Sequence, residues 1–305
     1  MLEILLVILP VFLLIFLGQL CRRRAFPGDG FWAPAERLTY FVLFPALLAI
    51  TLAEADFSRL TMLPAALGTA AAILVMTGLA LALRPWLGIG GAIFTSFYQG
   101  IVRLNTYIGL SVAFGLWGEA GLAASAVVLG AIVPLVNLTS TFVLARYGTV
   151  AQPSLAGVLR QIATNPLILA ILAGAVLNLA GIGPPPVIGD MLRLLGRAAL
   201  PLGLLAVGAA LDLAAARRAK RISGLASLLK LAGLPALAYG LGLAFGAEGV
   251  ALSVGVLFAA LPTATSAYIL ARQLGGDAAV MANLCTLQTL LALVTLPLVL
   301  AASAP

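Results

Sequence analysis

Apolar residues run through this chain in long blocks, and polar and charged positions are pushed into short gaps between them. An α-helix needs about 20 such residues to cross the hydrocarbon of a bilayer. The pattern predicts about ten such helices, at roughly 3–21, 32–53, 61–83, 91–115, 120–145, 162–181, 188–213, 224–245, 249–271 and 278–301. The longest gap, 147–161, has the length of an ordinary loop, so no residues remain for a soluble domain.

A second pattern lies over the first. Pro10, Gly18, Pro45 and Asp56 recur at a constant offset of 156 as Pro166, Gly174, Pro201 and Asp212, and Leu13, Ile15 and Leu48 recur as Leu169, Ile171 and Leu204. Prolines and glycines inside apolar helices cost stability, so composition alone does not account for their recurrence. The chain divides into a first unit at 1–147, a cytoplasmic linker at 148–161 and a second unit at 162–305, with five spans in each. Five is odd, so the copies lie in opposite orientations, a signature of secondary transporters. The expected fold is an all-α membrane protein of two inverted five-helix repeats.

Composition agrees: 63% of residues are hydrophobic and 9% are charged, against about 25% charged in soluble domains. The net charge of +7 could suggest nucleic acid, but the positions of the charges argue for topology. Arg22, Arg23, Arg24, Arg37, Arg84, Arg146, Arg160, Arg217, Arg218, Lys220, Arg221, Lys230 and Arg272 fall on one side, Arg59, Arg193 and Arg197 on the other, and Arg103 inside a span. The positive-inside rule then places both termini outside. Arg22, Arg23 and Arg24 follow the first apolar run instead of preceding it, which reads as a retained span and not a cleaved signal. The 2 cysteines, Cys21 and Cys285, make no disulfide framework.

Polar residues interrupt two spans at equivalent places. The fourth carries Gln99, Gly100, Arg103, Asn105, Thr106 and Gly109, and the ninth carries Pro262, Thr263, Thr265 and Ser266. Thr106 shifted by 156 is Pro262, and paired discontinuities of this kind point to a binding site. Pro45 and Pro201, with Gly100 and Gly109, are candidate breaks or hinges, a tolerated kink being the alternative for the prolines.

Arg103 reads as the one cation well inside a span, and burying it costs at least about 2.5 kcal/mol. The acids Glu3, Glu54, Asp56, Glu119, Asp190, Asp212, Glu248 and Asp277 lie near span ends, so an anionic substrate is its expected partner, with snorkelling to the surface as the alternative. Asn105 can meet a carboxylate without a buried charge, and half-helix N-termini at the breaks would add N–H donors. Thr263, Thr265 and Ser266 read individually as helix packing and together as part of the site. Asn137 and Gln288 are candidate support, and Asn165 and Asn178 fit interhelical bonding. The residues suggest no enzyme, no cofactor and no metal site. With no histidine and no acid assigned to mid-span, they also argue against a proton relay.

The chain resembles the auxin efflux carrier family, which includes plant PIN proteins and bacterial relatives. The segments carrying the resemblance are ILPVFLLIFLGQLCRRRAF with FPALL, RLNTYIGL, NPLILAILAGAVLN, ALPLGLLAVGAAL and LPTATSAYILARQLGGDA, which together span nearly the whole length. The resemblance implies a fold similar to the bile-acid sodium symporters, with broken helices 4 and 9 crossing near the midplane and a scaffold moving against a transport domain. Asn105 matches the family's substrate-facing asparagine and Pro262 its ninth-helix crossover proline. Two departures stand out: a short linker replaces the long plant segment, and the fourth span has no crossover proline. Bacterial members are associated with dicarboxylates such as malate or malonate. The expected function is alternating-access transport of a small mono- or dicarboxylate, with a sodium-coupled symporter or a non-transporting scaffold as alternatives. Expected partners are the carboxylate and the bilayer, a sodium ion and a homodimer stay open, and nucleic acid is not among them.

Overall fold

The protein is described from a computed structural model covering residues 1–28, 30–55, 62–149, 157, 160, 163–216 and 221–303. Among these residues every regular element is helical: α1 (Leu2–Arg23), α2 (Trp32–Ala53), α3 (Leu63–Leu87), α4 (Gly91–Val102), α5 (Thr106–Tyr147), α6 (Pro166–Leu179), α7 (Pro186–Ala210), α8 (Arg221–Ala244), α9 (Gly249–Ala260), α10 (Ser266–Leu274) and α11 (Ala278–Ala302), with one further turn at Leu213–Ala216. Most of the expected linker and the basic residues 217–220 fall outside the described residues.

Among the described residues, seven stretches are long and apolar enough to cross a bilayer, with Gly91–Tyr147 counted as one. α1 shows why they belong in lipid. It buries Ile8, Val11, Phe12 and Ile15, yet its opposite face carries Leu6, Leu9, Leu13 and Leu20. A helix apolar all round has no face for water. The span expected at 162–181 is only the 14-residue α6, about 21 Å long against a hydrocarbon core of about 30 Å. In the long run, Gly118 takes φ 55° and ψ −139° and breaks α5 where the gap between the fourth and fifth spans was expected. No side chain is easily accommodated in that conformation.

Pro45 and Pro201, alike in sequence, behave differently. Ahead of Pro45, α2 widens into a π-helical turn, Thr39–Leu43, in which the Phe44 N–H donates to the Thr39 carbonyl. The proline ring crowds the preceding carbonyl and supplies no N–H, so the ladder shifts register instead of opening. α8 does the same at Leu229–Gly233 ahead of Pro235. Pro201 lies in an unbroken α7, so the expected break there is corrected to an intact helix. Gly100 and Gly109 are also helical and not breaks: a Cβ on Gly100 would meet Leu284 Cδ1 at 2.7 Å, and one on Gly109 would meet Leu261 Cδ1 at 2.6 Å. Both are places where helices approach closely.

The helices pack as two groups. α1, α2, α6 and α7 form one, with α1 on α7 and α2 on both α6 and α7; α3, α4, α8, α9, α10 and α11 form the other, and α5 touches both. Glycines make the seams of the first group. A Cβ on Gly18 of α1 would collide with the Leu205 carbonyl of α7, and one on Gly174 of α6 with the Ala49 carbonyl of α2. Gly174 and Leu205 are Gly18 and Ala49 shifted by 156, so one contact recurs with the two halves of the chain exchanged.

Candidate functional site

The two helix breaks meet. α4 ends at Val102, the next residue, Arg103, is extended at φ −72° and ψ 153°, and the chain re-enters helix at Thr106. α9 ends at Ala260, the next residue, Leu261, is extended at φ −65° and ψ 147°, and helix resumes at Ser266. The second break follows from Pro262, which drives its predecessor out of the helical region. The first has no proline. It is made by Asn105, whose Oδ1 accepts from the Tyr107 and Ile108 N–H groups at 3.1 and 3.4 Å and caps α5. The Asn105 N–H donates to the Pro262 carbonyl at 2.9 Å, tying one break to the other.

Breaking two helices inside a membrane frees backbone groups that water does not reach. Gln288 of α11 satisfies two of them: its Nε2 donates to the Gly100 carbonyl at 2.9 Å, and its Oε1 accepts from the Thr263 N–H at 3.0 Å. The Thr263 hydroxyl lies 2.7 Å from Gln288 Oε1 and 3.0 Å from the Gly100 carbonyl. Gln288 is 0% exposed and Thr263 1%. Both hold the breaks together from inside, and neither Pro262 nor Thr263 lines the cavity described next.

Beside the breaks is a cavity of about 550 Å³ lined by α2, the 103–107 segment, the second half of α5, the start of α6 and the second break with α10. Arg103, Asn105, Thr106, Thr265, Ser266 and Asn137, all anticipated, line it. So do Glu36, Arg37, Tyr40, Thr141, Asn165 and Gln273. The Arg103 guanidinium donates to Asn137 Oδ1 at 3.3 Å and to Ser266 Oγ at 3.4 Å. Both acceptors are neutral, the bonds are long, and among the described residues no carboxylate pairs with Arg103. Asn105, 2% exposed, spends its oxygen on the cap, and its amide nitrogen makes no hydrogen bond to a described residue.

Asn165 repeats the arrangement on α6. Its Oδ1 accepts from the Leu167 and Ile168 N–H groups at 3.0 and 3.4 Å, and its Nδ2 donates to the Tyr40 hydroxyl at 3.2 Å. The starts of α5, α6 and α10 therefore all border one cavity, and helix starts favour anions. Asn178 lies elsewhere, donating to the Ala53 and Ala55 carbonyls as an interhelical tie.

Two expectations about charge are corrected. Glu36, absent from the acids assigned by sequence, is a carboxylate in the cavity wall, and its Oε1 accepts from the Thr265 hydroxyl at 3.1 Å. The signal was present in WAPAERLTYF, where Glu36 and Tyr40 are four apart and share a helix face. Lys230, counted with the cytoplasmic residues, is 0% exposed inside α8 at its π-helical turn, and its Nζ has no hydrogen-bond partner among the described residues. Arg103 is thus not the one cation inside a span.

A helical bundle with a polar cavity where two broken helices meet, built from apolar spans, is the form of a membrane transporter. The sequence profile of the membrane transport protein family matches residues 126–300. A protein of Rhizobium meliloti (strain 1021) named "Putative malonate transporter" is 30% identical over 294 residues, covering 90% of this chain and 88% of that protein. An "Uncharacterized transporter" of Methanothermobacter thermautotrophicus (strain ATCC 29096 / DSM 1053 / JCM 10044 / NBRC 100330 / Delta H) is 26% identical over 304 residues, covering 95% of each. The chain belongs to this family, that of the auxin efflux carriers, and is an integral membrane transporter.

Proposed function

We propose that the protein carries a small organic anion, with one or two carboxylates, across the membrane by alternating access. The observation that carries this reading is the Arg103 guanidinium: a permanent cation in a cavity wall, held by two neutral acceptors and bordered by three helix starts. A carboxylate entering the cavity would give Arg103 the charged partner it lacks, a stronger bond than either existing one. The free amide N–H groups of Asn105 add a donor. The name of the Rhizobium meliloti relative supports a dicarboxylate.

The motion we infer is a displacement of the group built on α3, α4 and α8–α11 against the group built on α1, α2, α6 and α7, with the cavity between them. The reciprocal contacts of Gly18 with Leu205 and Gly174 with Ala49 support two copies related by a pseudo-twofold axis, as inverted repeats require. α6 and the α9–α10 pair are the elements on which a count of ten spans depends.

Binding of malonate and of its monoanionic half-amide, measured by calorimetry on purified protein, tests the site. At about 4 Å and an effective dielectric of about 20, each charge on the ligand is worth about 4 kcal/mol against Arg103. Arg103→Gln should therefore weaken the dianion at least about tenfold more than the monoanion. Equal losses would make Arg103 structural. Uptake of labelled malonate into proteoliposomes, with sodium and voltage imposed separately, tests transport and coupling to either.

A further inference from the structure

The cavity that offers Arg103 to an anion also holds a carboxylate. Glu36 sits one helical turn before Tyr40 on α2, and its Oε1 accepts from Thr265, across the cavity from its own helix. Had Glu36 paired with Arg103, the two would form a neutral wall, but Arg103 bonds Asn137 and Ser266 instead. An anion that displaces those two weak bonds thus arrives in one small cavity with a Glu36 carboxylate that no described cation pairs.

None of the other charged groups around Glu36 forms an ion pair with it among the described residues. On α2, Arg37 borders the cavity without an ion pair to Glu36, and Tyr40 is a phenol engaged by Asn165. From α5 comes Tyr107, a phenol stacked on Phe44 with ring centroids 4.8 Å apart; Arg146 at the far end of α5 lies over the Tyr147 ring. α6 carries no titratable residue, and α7 carries none from Ala198 to Ala210. Its Asp190 and Arg193 belong to the other end, where Arg193 pairs with Asp190 and Glu54. On α10, Arg272 turns over the Tyr268 ring, and behind the second break the Cys285 thiol donates to the Ala264 carbonyl.

We propose that Glu36 is the proton acceptor of the transport cycle, binding one proton as the anion enters the cavity and releasing it as the anion leaves. The proton comes from the solvent on the side to which the cavity is open and returns to solvent on the other side. It forms an O–H bond at the carboxyl oxygen that Thr265 does not occupy. The Thr265 hydroxyl keeps its acceptor, now the carbonyl oxygen of a neutral acid, and the new O–H can donate to the anion. The carrier then moves anion and proton together, so an inward acid gradient drives uptake. This reverses the expectation from sequence, which rested on there being no histidine and no acid assigned to mid-span.

The inference rests on reading the cavity as an anion site, and one experiment separates the two. Malonate binding is measured by calorimetry on the full-length protein, in pairs of buffers with different ionisation enthalpies, between about pH 6.5 and 8. Protons taken up by malonate itself appear in every variant, so the readout is the difference between proteins. Wild type should take up about one more proton per bound malonate than Glu36→Gln, and its affinity should fall by up to about tenfold more per pH unit as pH rises. Glu36→Asp, which keeps a titrating carboxyl, should restore that difference; melting temperatures establish that each variant is folded. Equal proton uptake by wild type and Glu36→Gln, with malonate bound by both, overturns the role of Glu36 and leaves the anion site standing. No binding of malonate to wild type at any pH overturns both.

Discussion

Asn105 carries two jobs on one side chain. Its oxygen completes the start of α5, work worth about 1 kcal/mol of stability when such a cap is replaced by alanine. Its nitrogen is left for the cavity. Asn105→Ala would remove both and leave the roles mixed, whereas Asn105→Asp keeps an oxygen at the cap and puts a negative charge at a helix start, a favourable place for it. We expect Asn105→Asp to melt within a few degrees of wild type yet to bind malonate at least about tenfold more weakly, because a donor is replaced by a like charge. Thermal melting and calorimetry on one preparation check both halves. Unaltered affinity would remove Asn105 from the contact residues.

Arg103 and Glu36 show how much residue-level chemistry depends on what lies opposite. The cost of a buried guanidinium marked Arg103 in the sequence, as did the polar cluster around it. Glu36 stands four residues into its span, where the flanking Arg37 makes the region read as a helix end. Nothing in the linear pattern says that this end abuts Thr265, 229 positions away, and so faces a cavity.

Among the helices, small residues decide which pairs approach. Without a hydrophobic driving force between helices in lipid, close backbone packing does much of the work. Gly18 lets α1 sit against the Leu205 carbonyl, and Gly174 lets α6 sit against the Ala49 carbonyl. Because these are the same contact with the halves of the chain exchanged, their substitutions should behave alike. Gly18→Ala and Gly174→Ala should each cost about 1–3 kcal/mol through overpacking. The double variant should lose the sum, since the seams share no partner. Denaturation in mixed micelles measures this, and a large cost at one seam with none at the other would argue against equivalence.

At the scale of the whole molecule, orientation rests on the basic residues. The 217–221 cluster should face the cytoplasm and the C-terminus the outside. In a cysteine-free background, Ala219→Cys should resist an impermeant maleimide on intact cells and react once they are permeabilised, and a cysteine added at position 305 should react from outside. The opposite pattern inverts the topology. The same scale governs coupling, because the path of a proton through Glu36 depends on which side of the membrane the cavity opens to.

The sequence by itself determined what is local or additive. Apolar block lengths require helices in lipid, glycines and prolines recur at a 156-residue offset, and Pro262 breaks its helix through its own ring. The polar interruption at 99–109 located the other break, though no proline announced it. Tertiary structure alone decided how those pieces face one another. It turned Gln288 and Thr263 inward as the clasp of the two breaks, left Pro201 in an unbroken helix, gathered three helix starts around one cavity, and buried Lys230. The physical reason is the same in each case. A side chain's type sets what it can bond, but burial and partner come from helices far apart in sequence, and in a membrane they decide whether a polar group is a strut, a cost or a site.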